Sequence, residues 1–253
     1  MVTFIQAIIL SIVQGITEWF AISSSGHIAI FENLFDIHDL GFVVYLHFAS
    51  VLGVVILFWK DIVNLFVEKK WSYIFKIIIA VIPVAIVGFL VKEQVEKAFS
   101  NLIFVGIFYI ISGFFIYSTK YARQIKRHPS ISDSIFIGVS QVLALFPGIS
   151  RSGMATGSGL ILGLKKEEAI KFSFLLAIPI VFGASLLESS EITHLTLGFP
   201  ALLTSFTLTL LTSLLTIKLL IRIIKSDKFY LFGIYNFILG VILIVWGLTG
   251  GFY

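Results

Sequence analysis

Two polar clusters interrupt an otherwise apolar chain, and they hold the residues able to do chemistry. The first is Gln14-Gly15-Ile16-Thr17-Glu18 followed by Ser23-Ser24-Ser25-Gly26-His27. The second is Pro147-Gly148-Ile149-Ser150-Arg151-Ser152-Gly153. Glu18 and Arg151 lie deepest in apolar context. A charge at the centre of a membrane helix costs about 2.5–3.5 kcal/mol on insertion scales, which makes both functional candidates. Gln14 and Glu18 are four apart and share a helix face. Ser24 and His27 are three apart and are neighbours if that stretch is helical. A carboxylate suits a hard cation such as Mg²⁺ or Ca²⁺. Arg reads phosphate oxygens through a two-pronged fork. Turns flanked by Gly26, Gly148 and Gly153 can offer backbone N–H groups to an anion. Serine beside histidine is an activated-nucleophile pair. Together these groups point to phosphoryl transfer on a lipid-borne substrate. The plain alternatives are a structural Glu18–Arg151 ion pair and a serine run used for helix packing. His47 and Asp39 are read as polar residues lining the same cavity, without a catalytic role.

The elements that position these clusters follow from composition. Of 253 residues, 58% are hydrophobic and 13% charged. So few charges cannot cover a water-soluble globule, and the hydrophobicity is too high for a disordered chain. A polytopic membrane protein remains. The net charge of +4 is spread between apolar runs and not gathered on one face, which argues against nucleic acid. The absence of cysteine excludes disulfides and thiolate chemistry. The N-terminus has no basic leader and reads as mature protein. Apolar runs at 41–59, 72–91, 101–119, 169–188, 197–218 and 232–250 are each long enough to span a bilayer. Regions 1–40 and 131–166 are apolar but broken in the middle, as re-entrant hairpins of two half-helices would be. The expected fold is therefore all-α, with six transmembrane helices and two re-entrant hairpins in one membrane domain over 1–253. Loops 60–71, 120–133, 165–171 and 218–229 carry fourteen of the 18 Lys and Arg, which places them in the cytoplasm. Segments 32–40, 92–100 and 188–196, with both termini, then face outside. A shift of 127 residues superposes Gln14 on Gln141, Ile22 on Ile149, Ser23 on Ser150 and Ser25-Gly26 on Ser152-Gly153. Repeat one (about 1–120) and repeat two (about 131–253) each hold a hairpin and three spans. The odd span count inverts the second copy and brings the two breaks to a shared midplane site.

The two motifs resemble the signatures of the undecaprenyl-diphosphate phosphatase (BacA-type) family. The first matches its Glu/Gln-x₃-Glu element with the serine run. The second matches PGxSRSG, and Lys171 to Pro179 is similar to text that follows it in relatives. Two departures are Ala21, where many relatives have Pro, and Gln14, where many have Glu. The resemblance implies hydrolysis of a C55 isoprenyl diphosphate to its monophosphate, the carrier lipid of cell-wall synthesis. It implies a plasma-membrane enzyme, with a homodimer left open. The loop charges, which put Glu18 on a hairpin entering from outside, open the site to the extracytoplasmic side. The residues carried over are Gln14, Glu18, Ser23, Ser24, Ser25, His27, Ser150, Arg151 and Ser152. In the expected mechanism Glu18, helped by Gln14, holds Mg²⁺ or Ca²⁺ on the diphosphate, and Arg151 clamps phosphoryl oxygens. Ser24 attacks with His27 as general base, or His27 activates water directly. Ser23, Ser25, Gly26, Gly148, Ser150, Ser152 and Gly153, with Gln14, bind substrate.

Two rivals use the same residues. A lipid-phosphate flippase would need Arg151 and the serines for the headgroup but no nucleophile or metal. The acid-phosphatase type of membrane lipid phosphatase shares Ser25-Gly26-His27. It also needs a His soon after Ser-Arg, and none follows Ser150-Arg151 until His194.

Overall fold

The structure, a computed structural model, describes residues 2–37, 39–99, 101–125, 128–188 and 197–249. Among the described residues every helix and strand assignment is helical. In chain order the helices are α1 (Phe4–Thr17), α2 (Ser24–Phe35), α3 (Leu40–Leu57), α4 (Trp59–Val67), α5 (Trp71–Leu90) and α6 (Lys92–Phe99). There follow α7 (Leu102–Ser118), α8 (Ile131–Leu143), α9 (Arg151–Ile161), α10 (Lys166–Leu187), α11 (Phe199–Lys225) and α12 (Leu231–Leu248). Helices α3, α5, α7, α10, α11 and α12 are long and apolar enough to cross a membrane, and they match the six apolar runs. The two broken regions each fold as two short helices, α1 with α2 and α8 with α9.

Three boundaries differ from the sequence reading. Segments 60–71 and 92–100, read as loops, begin with the short helices α4 and α6. They are too short and too charged for a span-length hydropathy pattern, yet neither helix contains the strong breakers Gly or Pro. Helix α11 runs on to Lys225 instead of ending near 218. Lys218, Arg222 and Lys225 recur at intervals of four and three, so they share one face and can reach polar surroundings while the helix continues. The segment 189–196, with His194, and residues 250–253 lie outside the described residues.

Lipid-facing and protein-facing sides are distinct. On α5, Phe75, Ile78, Ile82, Ile86 and Phe89 are exposed at helical spacing, as are Ile234, Ile238, Ile242 and Val245 on α12. Continuous apolar stripes of this length are not stable against water and call for a bilayer. The chain is thus a multi-pass membrane protein. Inside, Trp19 packs on Phe174 and Phe174 on Phe58, with centroids 5.4 and 5.1 Å apart, forming a dry floor beneath the first break. The Thr-rich stretch of α11 behaves as ordinary helix. Thr204, Thr207, Thr212 and Thr216 donate to carbonyls one turn back, while Thr209 reaches across to the Ser11 carbonyl of α1.

Candidate active site

Each break is a helix end facing a helix start. Glu18 caps the C-terminus of α1, and Ser23 caps the N-terminus of α2. Ser23 sits at φ 63°, a left-handed conformation that costs a serine of order 1–3 kcal/mol unless its surroundings over-determine it. They do so here. The Ser23 hydroxyl accepts from the Gly26 N–H of its own helix at 3.4 Å and from Gly148 of the other break at 3.0 Å. Its carbonyl accepts from Tyr109 Oη at 3.1 Å and faces His27 Nδ1 at 2.8 Å. The second break copies the local pattern. Ser150 caps α9, and its hydroxyl accepts from Gly153 N–H at 3.1 Å. The pairs Ser23–Ser25 and Ser150–Ser152 both have hydroxyl oxygens 3.2 Å apart.

Two glycines let the breaks meet. Gly148 adopts φ 98°, and a Cβ there would lie 2.5 Å from the Val105 carbonyl. A Cβ on Gly26 would lie 2.5 Å from Tyr109 Oη. Ser152 donates to the Phe20 carbonyl at 3.1 Å, and Asn236 Nδ2 to the Ala21 carbonyl at 2.9 Å. The first break is therefore clasped by α9 and α12.

Glu18 is the hub. Its side chain is 1% exposed and is ion-paired through Oε1 with Arg151, the first residue of α9. Its Oε2 accepts from Ser24 Oγ at 2.5 Å and from Gln14 Nε2 at 3.0 Å, and lies 3.4 Å from His47 Nε2. A carboxylate this buried is tolerable only when a charge and several donors compensate it. The Arg151 side chain is 24% exposed, so its guanidinium keeps N–H groups free to meet an incoming oxyanion. A small cavity between the breaks is lined by Glu18, Trp19, Gln141, Arg151, Ser152 and Phe174. Gln141 braces its far wall by donating to the Arg151 carbonyl at 3.2 Å.

Of the residues singled out by sequence, the structure joins Gln14, Glu18, Ser24 and Arg151 in one hydrogen-bonded group. Ser23 and Ser150 are buried, with their hydroxyls used as caps, while Ser25 and Ser152 are half-buried beside them. Gly26, Gly148 and Gly153 permit the close approaches and supply capped N–H groups. His27 is not joined to Ser24. Its Nε2 meets Tyr235 Oη at 2.7 Å and its Nδ1 the Ser23 carbonyl and Tyr109 Oη at 2.8 and 3.0 Å. Three residues of helix turn the imidazole toward α7 and α12, whereas Ser24 turns back toward α1. The sequence pairing of Ser24 with a His27 base is thus replaced by a Ser24–Glu18 hydrogen bond.

The sequence reading placed His47 in the cavity, where it touches Glu18, but passed over Tyr109, Ser112, Tyr235 and Asn236, which hold the breaks. Ser112 accepts from the Ser150 N–H at 3.3 Å and lies 3.3 Å from Asn236 Nδ2. The available signal was an Asn in the middle of an apolar span. The tyrosines carried none, being common in membrane helices.

The donor set fits a hard divalent cation bound together with phosphate. Gln14 Oε1 is buried, has no hydrogen-bond partner, and belongs to the side chain already bonded to Glu18. Amide and carboxylate oxygens are the ligands such ions take, with the rest of the shell from phosphate and water. No cluster of three or more His, Asp or Glu side chains occurs among the described residues. A cation here would share its shell with the substrate.

The family described as bacitracin resistance protein BacA matches residues 7–242. The undecaprenyl-diphosphatase of Caldicellulosiruptor bescii is 39% identical, with 96% of this chain and 97% of that one aligned. Those of Thermosipho africanus and Methanosphaera stadtmanae are each 36% identical, covering 93% and 97% of this chain and 97% and 98% of theirs. Match length, motif order and the meeting of both motifs at one buried carboxylate lead to one conclusion: this chain belongs to the bacitracin resistance protein BacA family.

Proposed function

We propose that the chain hydrolyses undecaprenyl diphosphate to the monophosphate and inorganic phosphate. The observation that carries this reading is the convergence of Ser24 and Arg151, the first residues of α2 and α9, on Glu18 at the end of α1. The carboxylate takes the serine hydroxyl on one oxygen and the arginine fork on the other. Ser24 Oγ attacks the terminal phosphorus as its proton passes to Glu18 Oε2. The bond from phosphorus to the bridging oxygen breaks, and the lipid leaves as its monophosphate. Glu18 passes that proton to the departing monophosphate. Water then attacks the phosphoserine and gives a proton to the freed carboxylate, which returns it to Ser24 Oγ as the serine–phosphorus bond breaks and inorganic phosphate leaves. Arg151 stabilises the equatorial oxygens as charge redistributes, and the N-termini of α2 and α9 add backbone donors.

Gln14 Oε1 and Glu18 are the groups that would hold Mg²⁺ or Ca²⁺, which supplies neutralising charge on the diphosphate. Phosphate release by the purified protein in detergent is expected to stop with EDTA and return with Mg²⁺. Gln14→Ala should raise the Mg²⁺ concentration needed for half-maximal rate about tenfold or more, and Gln14→Glu should lower it. EDTA-resistant release would sink the metal assignment, and no release at all from folded wild type would sink the phosphatase.

The same reading arranges the chain as two inverted repeats, about 1–120 and 131–253, in one membrane domain with re-entrant hairpins. The glycine contacts between α7 and α12 support it. A Cβ at Gly106 would meet the Gly240 carbonyl at 2.8 Å, and one at Gly113 the Gly233 carbonyl at 2.9 Å. Gly106 and Gly233 are 127 apart, as are Gly113 and Gly240, so the contacts are exchanged crosswise as a two-fold axis requires. Helix α1 packs on α11 while its counterpart α8 packs on α5, the counterpart of α11. With the basic loops in the cytoplasm, the site opens to the extracytoplasmic side, and the isoprenyl tail lies between spans in lipid. The chain has no cysteine, so single substitutions report orientation cleanly. In intact cells a membrane-impermeant maleimide should label Glu93→Cys and spare Lys228→Cys; the reverse pattern would invert the topology.

A further inference from the structure

His27 stands apart from the Ser24–Glu18–Arg151 group, yet both its ring nitrogens are engaged by groups from three elements. Nδ1 faces the Ser23 carbonyl at 2.8 Å, and Nε2 faces Tyr235 Oη at 2.7 Å. The Tyr235 ring lies nearly parallel to the imidazole, with centroids 5.9 Å apart and planes 12° from parallel. Tyr109 meets the imidazole edge-on at 81°. A carbonyl can only accept, so the proton of a neutral imidazole belongs on Nδ1. Nε2 then carries a lone pair, and the tyrosine O–H is the group that satisfies it.

The consequence falls on the strained residue of the site. Ser23, at φ 63°, places Ser24 as the first residue of α2, and the Ser23 carbonyl is held by the Nδ1–H and by Tyr109 Oη. Were the proton on Nε2, two lone pairs would face each other at 2.8 Å and the brace would be lost.

We propose that Tyr235 is a positioning residue for the hydrolysis: by donating to His27 Nε2 it selects the Nδ1–H tautomer, whose N–H braces the Ser23 carbonyl and so holds Ser24 on Glu18. The proposal rests on the reading of Ser24 as nucleophile. Tyr235 is half-exposed where Tyr109 is fully buried, so its hydroxyl can be removed with little effect on the core.

The test combines kinetics with ¹⁵N NMR of protein labelled at its five histidines, the His27 signal being assigned by its loss in His27→Gln. In wild type the His27 ring is expected to show the Nδ1–H tautomer; an Nε2–H wild type overturns the proposal outright, whatever any variant does. Tyr235→Phe keeps the ring and removes the donor. It is expected to lower kcat about ten- to a hundredfold, as losing an orienting partner does, with KM within about twofold, and to move His27 to Nε2–H. Wild-type kcat in Tyr235→Phe, or a fallen kcat with His27 still Nδ1–H, overturns it. Tyr109→Phe is expected to lower kcat with His27 still Nδ1–H; a tautomer change there would take the selecting role away from Tyr235. Ser24→Ala at wild-type rate would overturn the proposal through its premise. The wild-type tautomer needs no turnover to measure, so that failure is distinguishable from failure of the brace.

Discussion

Arg151→Ala is expected to abolish phosphate release and to destabilise the fold, and the two effects can be separated. The guanidinium is worth most where phosphoryl charge is redistributed, and removing an arginine from such a position costs about 10³-fold or more in kcat. Its loss also strands Glu18. That carboxylate is 1% exposed, and Arg151 is the guanidinium ion-paired with it. Breaking a buried pair from one side costs about 3–5 kcal/mol because the remaining charge is uncompensated, with the partial exposure of Arg151 placing it near the lower figure. Changing Glu18→Gln in the Arg151→Ala background removes that charge. The double variant should therefore regain most of the lost thermal stability while staying inactive. An Arg151→Ala protein that loses stability yet turns over at wild-type rate would reduce the pair to a structural one. Arg151→Lys should keep part of the stability and little of the rate, because an ammonium cannot fork across two oxygens.

Ser24→Ala separates the covalent mechanism from direct attack by water. With Ser24 as nucleophile, kcat should fall about 10³-fold or more, while stability changes by about 1.5–3 kcal/mol, the worth of one hydrogen bond to a charged acceptor. Glu18 keeps Arg151 and Gln14, so no buried charge is stranded. Wild type quenched rapidly in acid during turnover should retain phosphate on Ser24, and Ser24→Ala should retain none. Turnover with no trapped phosphoprotein would mean that Glu18 activates water, with the serines only positioning the headgroup. Ser24→Ala also bears on the flippase alternative, since moving a headgroup requires Arg151 but no nucleophile.

His47 distinguishes what is touched from what is used. Its Nε2 is 3.4 Å from Glu18, while its Nδ1 faces the Val43 carbonyl of its own helix at 2.9 Å. It completes the polar wall around the carboxylate, in keeping with the sequence reading of His47 as a residue that lines the cavity.

The membrane class, the six spans and the two breaks were determined by sequence, because a bilayer allows only long apolar helices and confines irregular backbone to protein-lined depth. The pairing of Glu18 with Arg151 was also legible, since two charges in apolar context need each other or a ligand. The short helices α4 and α6 were not, because a hydropathy run reports crossing and not helicity. The partner of Ser24 was decided only by tertiary structure. His27 is three residues from Ser24 on α2 and Glu18 is six away across the break, so both are within local reach and the choice depends on where neighbouring helices stand. Tyr109 and Tyr235 draw the imidazole toward α7 and α12, and the meeting of the two breaks leaves Glu18 facing Ser24. Hydrogen bonds between elements 86 to 208 residues apart set those directions, and no local pattern encodes them.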